Sequence, residues 1–156
     1  METNLNTKIY NADLYLRLSK EDGDKEESDS ITNQKELILD YLKSMEDIKI
    51  HEIRVDDGYS GVNFDRPAFQ QMLEDIKTGK VDCVITKDLS RFGRNHIEVG
   101  KYLEKIFPYL GVRFIAINDN YDSIMSDTQT DNIIIPFKNL INDAYCRDIS
   151  IKIRSN

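Results

Sequence analysis

An arginine and a serine stand two apart at the end of a short alternating run, Tyr15-Leu16-Arg17-Leu18-Ser19. Alternation of apolar and polar residues is the pattern of a half-buried strand, and residues two apart on a strand share a face. A serine hydroxyl is a weak nucleophile unless something activates it or stabilises the charge it creates. Further arginines follow in Asp65-Arg66-Pro67 and in Ser90-Arg91-Phe92-Gly93-Arg94. Arg91 and Arg94 are three apart, so on a helical turn they face the same way. Cations at the start of a helix oppose its dipole, and a bound phosphate resolves that conflict. One serine with several arginines and no neighbouring metal-ligand cluster points to phosphoryl transfer without a metal. The plain alternatives are a capping or surface serine and a solvated helix start.

Other groups compete for a chemical role. Asp56, Asp57 and Asp88 follow apolar runs and have the chemistry to hold Mg²⁺. Together with Lys87 they also fit a phospho-acceptor receiver module, in which an acid pair follows the first strand. Here that strand ends in Arg17 and Ser19 instead. His51 and His96 are distant in sequence from any strand-end serine, which gives a Ser–His–Asp hydrolase little support.

The elements that carry these residues alternate. Strands are expected over Leu14–Leu18, Ile48–Val55, Val81–Thr86 and Val112–Ile117. Helices are expected from the N-cap Ser30 to about Met45, from Pro67 to Gly79, and over Ile97–Tyr109. Lys20–Asp29 reads as an acidic loop, Asp56–Gly61 as a turn and Asn118–Asp127 as a polar loop. Alternating strands and helices predict a doubly wound α/β layer structure with the active site at the carboxyl ends of the strands. From Pro136 onward Phe137, Ile141, Tyr145, Ile149 and Ile153 recur every fourth residue, as in a long amphipathic helix that either covers its own core or, as an arm, packs against another subunit, the reading favoured here.

The 156 residues suit one domain, with 40% hydrophobic and 31% charged residues and a formal net charge of −7. Such an acidic chain is a poor stand-alone nucleic-acid binder, because that affinity comes largely from phosphate neutralisation. A DNA enzyme of this composition needs its arginines concentrated at one place and its main grip on DNA elsewhere. The longest apolar runs fall short of a membrane span, and the amino terminus has no signal pattern. The two cysteines, Cys83 and Cys146, lack metal-ligand spacing, and a cytoplasmic location is expected.

Five stretches in order resemble the motifs of the serine recombinase (resolvase/invertase) catalytic domain. They are Tyr15–Ser19, Ser30-Ile-Thr-Asn-Gln34, Asp57-Gly-Tyr-Ser60-Gly61, Asp65-Arg66-Pro67 and Ser90–Arg94. The resemblance runs from about residue 10 to the end and is strongest to the large enzymes of conjugative transposons and phage integrases. It implies a three-layer fold with a mixed, mostly parallel sheet flanked by helices, plus a long C-terminal helix. It divides the chain into a catalytic core over 1–130 and the start of an oligomerisation helix over 131–156, with a DNA-binding region beyond. It implies Ser19 as nucleophile, forming a 5′-phosphoserine link, and Arg17, Gln34, Arg66, Arg91 and Arg94 as active-site residues. Asp57, Ser60 and Ser90 are supporting residues, Ser90 standing where many small resolvases carry an aspartate. The implied partners are double-stranded DNA at specific recombination sites and a homodimer that forms a synaptic tetramer. Neither metal, ATP nor another cofactor is implied.

Overall fold

The computed structural model describes residues 7–19 and 30–125. Five strands lie in one sheet: β1 (Tyr10–Leu18), β2 (Ile48–Asp57), β3 (Cys83–Thr86), β4 (Arg113–Ala116) and β5 (Tyr121–Asp122). Their order is β2-β1-β3-β4-β5, with the first four parallel and β5 antiparallel to β4. The chain runs from β1 out to β2 and then back past β1 to β3. The order therefore reverses at the β1/β3 boundary, and the crevice at the carboxyl ends of those strands is where such sheets receive ligands.

Helices cover both faces. On one, α1 (Ile31–Leu42) packs Ile38 against Leu14, Leu16, Ile85 and Ile115. On the other, α2 (Pro67–Lys77) joins Tyr15, Phe92, Phe107 and Phe114 in an aromatic-rich core. The alternation of β1 thus sends Leu14 and Leu16 to α1 and Tyr15 to α2, with Arg17 continuing the Tyr15 side. This is the three-layer α/β fold with a mixed, mostly parallel sheet that the sequence leads one to expect. The acidic segment 20–29, Cys146, the division expected at 131 and the helix expected from Pro136 lie outside the described residues.

Local chemistry accounts for most boundaries. The Ser30 hydroxyl accepts from Asn33 N at 3.1 Å and caps α1, while Pro67 opens α2. The expected helix over 97–109 is a run of α4 (His96–Lys101), a π-helical turn over Tyr102–Ile106 and α5 (Phe107–Leu110). Pro108 has no N–H for the usual ladder, and the wider turn, with Phe107 N on Tyr102 O, takes up the mismatch. A one-turn helix, α3 (Leu89–Phe92), precedes this run.

Two expectations need correction. β1 starts at Tyr10 rather than Leu14, and the stretch after Ile117 contains a short 3₁₀ turn and β5 rather than only loop. Arg113 explains the second: its guanidinium grips both Asp122 oxygens, at 3.0 and 2.6 Å, and Asp47 at 2.8 Å.

Candidate active site

Arg17, the last inward-facing residue of β1, is fully buried. Its guanidinium donates from Nε to Arg91 O (3.0 Å), from Nη1 to Tyr59 O (3.1 Å) and from Nη2 to Ser90 O (2.6 Å). All three acceptors are neutral carbonyls, so the side chain is held in place without a charged partner among the described residues. The Tyr59 loop reaches it through Gly58, whose φ of 87° lies in the left-handed region and whose N–H bonds Leu18 O at 2.6 Å.

Gln34 secures the backbone at the same point. The β1–β3 ladder ends at the Leu14–Ile85 pair, which leaves the Arg17 peptide groups without a strand partner on that side. The buried Gln34 amide replaces it, donating Nε2 to Arg17 O (3.0 Å) and accepting from Arg17 N (3.3 Å). Arg91 Nη1 bonds the same Arg17 carbonyl at 3.2 Å.

Arg66 is as buried as Arg17 and lies over the rings of Phe64, Phe69 and Tyr15, 4.6–5.4 Å from their centres. It donates to Asn63 O, to the Tyr15 hydroxyl and to Phe92 O at 3.0, 2.8 and 2.7 Å. Tyr15 in turn donates to Asp56 Oδ2 at 2.8 Å, and burial pushes its phenol pKa up. The Asp56 carboxylate also accepts from Ala68 N (2.9 Å) and Phe69 N (3.0 Å) at the start of α2. At 2% exposure and with both oxygens engaged, Asp56 is a buried helix cap, not an open Mg²⁺ ligand or phospho-acceptor.

The 88–94 segment closes the other side. Asp88 caps α3, accepting from Arg91 N (2.9 Å) and from the Ser90 hydroxyl (2.6 Å) on the same oxygen. Arg91 is buried, and Arg94 is half-buried with its N–H on Gly61 O at 2.7 Å. Ser19 follows β1 at 4% exposure. Ser60 is exposed, its hydroxyl accepting from Val62 N at 3.1 Å, and Asp57 is exposed at the end of β2 opposite Leu18. A cavity of about 710 Å³ opens on this edge, lined by Asp88, Ser90, Arg94, His96 and Asp119 among others.

The arginines also sense one another. Burial, and then the charges of Arg91, Arg66 and Arg94, push Arg17 down to about 10, still protonated at neutral pH. Burial lowers Arg66 as well. A buried cluster of like charges is costly unless an anion joins it. Among the described residues Asp13, His51 and Asp75 form a separate acidic group about 13 Å back along β1. Arg54 occupies it, paired with Asp13 and Asp75, and His51, the extra residue of a β-bulge, bonds Asp13 at 2.9 Å.

A family model described as the N-terminal domain of resolvases matches residues 12–156. The chain belongs to the resolvase family. A resolvase-family site-specific recombinase from Streptococcus pneumoniae is 30% identical, with a TM-score of 0.69 over 95% of this chain and 93% of that one. The N-terminal catalytic domain of TP901-1 integrase shares the fold, with a TM-score of 0.70, 22% identity, and coverage of 89% and 98%. The first ORF in transposon ISC1904 from Sulfolobus solfataricus P2 matches more loosely, with a TM-score of 0.52, 22% identity, and coverage of 86% and 88%. Membership of this family displaces the receiver module as a reading of the chain.

In this resolvase domain the fold brings Arg17, Gln34, Arg66 and Arg91 into one bonded network with Ser90, and sets Arg94 in the same electrostatic cluster. Arg66 joins that network through Phe92. Sequence reasoning missed the cap formed by Asp56, the link through Tyr15 and the closeness of Gly61 to Arg17. The cap joins residues 12 and 13 positions apart and the Tyr15 link joins residues 41 and 51 apart, which local patterning does not report.

Proposed function

We propose that this resolvase domain cleaves and rejoins double-stranded DNA at specific recombination sites, with Ser19 as the nucleophile. The observation that carries the reading is the buried Arg17 guanidinium, held by carbonyls and crowded by three other arginines at the strand end that delivers Ser19. In the proposed step Ser19 Oγ attacks phosphorus and loses its proton, forming a Ser–O–P bond as the bond to the 3′ oxygen breaks. That oxygen takes up a proton and leaves as a 3′-hydroxyl, while the 5′ phosphate stays on the enzyme. The phosphodiester gains a second negative charge under attack, and fixed guanidiniums neutralise it. A single well-placed arginine is worth roughly 10³–10⁵ in rate in phosphoryl transfer. The phosphoserine ester conserves the bond, so reversal by the 3′-hydroxyl rejoins the strand without ATP.

On this reading Arg17, Arg91 and Arg94 stabilise charge, Gln34 and Arg66 hold them, and Asp57, Ser60 and Ser90 support the loops around them. The domain acts as a homodimer within a synaptic tetramer, through the segment from Pro136, and its specific grip on DNA comes from a region outside this acidic domain.

The test is a trapped protein–DNA adduct from the full-length recombinase. Mass spectrometry is expected to place DNA on Ser19, and Ser19→Ala is expected to abolish cleavage with little change in folding. A link on Ser60, Ser90 or a tyrosine overturns the assignment. Loss of cleavage in EDTA, restored by Mg²⁺, transfers the case to a metal-dependent nuclease.

A further inference from the structure

Gly61 sits where two of the clustered arginines cross a loop. A Cβ built on it stands 2.7 Å from Arg17 Nη2, 2.9 Å from Arg17 Cζ and 2.9 Å from Arg94 Cγ. Unstrained contacts to carbon lie near 3.5–4.0 Å, so a single methyl group here overlaps both side chains. The Gly61 backbone lies outside the left-handed region. The demand for glycine is therefore one of space.

Neither side of the contact is free to move away. Arg17 is fully buried, with its three nitrogens on the carbonyls of Tyr59, Ser90 and Arg91. The loop is pinned on both flanks of the glycine. Gly58 N bonds Leu18 O at 2.6 Å, Tyr59 O holds Arg17, and Gly61 O accepts from Arg94 N at 2.7 Å. A side chain at position 61 therefore displaces part of this set, which includes the Tyr59 O contact that holds the Arg17 guanidinium.

We propose that Gly61 is a positioning residue for the catalytic arginines. Its missing side chain forms the seat on which the Arg17 guanidinium and the Arg94 stem rest, and a methyl group there lifts the Arg17 fork off its carbonyls. The catalytic consequence rests on the recombinase reading above; the geometric part does not.

Gly61→Ala, Arg17→Met and the double variant separate the two. Methionine ends before Cζ and Nη2, so it removes the two Arg17 atoms the methyl group meets and leaves only the contact with Arg94 Cγ. In the full-length protein Gly61→Ala is expected to lower Tm by roughly 5 °C, as overpacking does. In the Arg17→Met background the same change is expected to cost less than half of that. The Arg17 Nε–Hε resonance, protected in the parent by Arg91 O, is expected to shift and to exchange faster in Gly61→Ala. Strand cleavage should fall at least about tenfold, with the affinity for site DNA unchanged.

Equal Tm losses in both backgrounds, or an unmoved Arg17 resonance, overturn the proposal. If Gly61→Ala fails to fold, rescue of folding by Arg17→Met supports it, and failure of the double variant as well overturns it. A parent protein that cleaves no DNA refutes the recombinase reading and leaves the Tm and resonance measurements to decide the role of Gly61.

Discussion

Two arginines of the cluster are held in different ways, and the difference predicts different costs. Arg17 is bound by carbonyls of segments that themselves line the site, and its pKa is depressed by burial and then by the other arginines. Arg66 is bound between Tyr15, Asn63 and Phe92, with aromatic rings around its guanidinium. Arg66 therefore acts as a strut that ties the end of α3 to β1 as well as a source of charge. Lysine cannot reach three divergent acceptors with one ammonium. Arg66→Lys is expected to lower unfolding free energy by about 1–3 kcal/mol, the cost of leaving buried polar groups unpaired. Urea titration checks this against Ser19→Ala, which removes one buried hydroxyl and is expected to cost less, about 1 kcal/mol or below. Equal stabilities for the two variants would remove the strut role. Arg17 was readable as special because it stands two residues from a serine, on the same face, at the end of an alternating strand. The strut was not, because its partners come from residues 15, 63 and 92.

At the scale of elements, the site depends on how α2 begins. Arg66 occupies the N-cap position without capping, and Pro67 follows it, so the orphan N–H groups of the first turn need an acceptor from elsewhere. Asp56, at the end of β2, supplies one to Ala68 and Phe69 and places negative charge at the positive end of the helix. The same carboxylate holds Tyr15, which holds Arg66, so the cap of a helix is linked to the cluster. Asp56→Ala is expected to cost about 1–3 kcal/mol. It is also expected to speed hydrogen exchange at Ala68 and Phe69 ahead of the rest of α2. Uniform exchange along the helix would show that the cap is not local. Ser30 and Pro67 were readable because their signals sit next to the helices they start. The Asp56 cap, the π-helical turn, α3 and β5 were not. Each spans a few residues or depends on a contact made only after folding, such as Arg113 on Asp122.

For the whole molecule, a formal charge of −7 coexists with a cluster of cations at one sheet edge. Burial and the neighbouring guanidiniums hold Arg17 at about 10 in the folded state, below the value of a free arginine. The unfolded chain therefore binds that proton more tightly than the folded one. The folded state bears the whole cost of the buried charge below about pH 10, and the cost fades as pH rises from there toward the free-arginine value. An anion seated among the guanidiniums offsets that cost at neutral pH, and linkage makes its binding visible as stability. Inorganic phosphate at pH 7.5 is expected to raise Tm more than chloride at equal ionic strength. Saturation at 100 times Kd corresponds to about 2.7 kcal/mol. The excess should disappear in Arg91→Ala and shrink as pH passes 10, where Arg17 begins to lose its charge. Equal shifts from the two salts would mean that the cluster has no phosphate seat, and that its positive charge is neutralised in some other way.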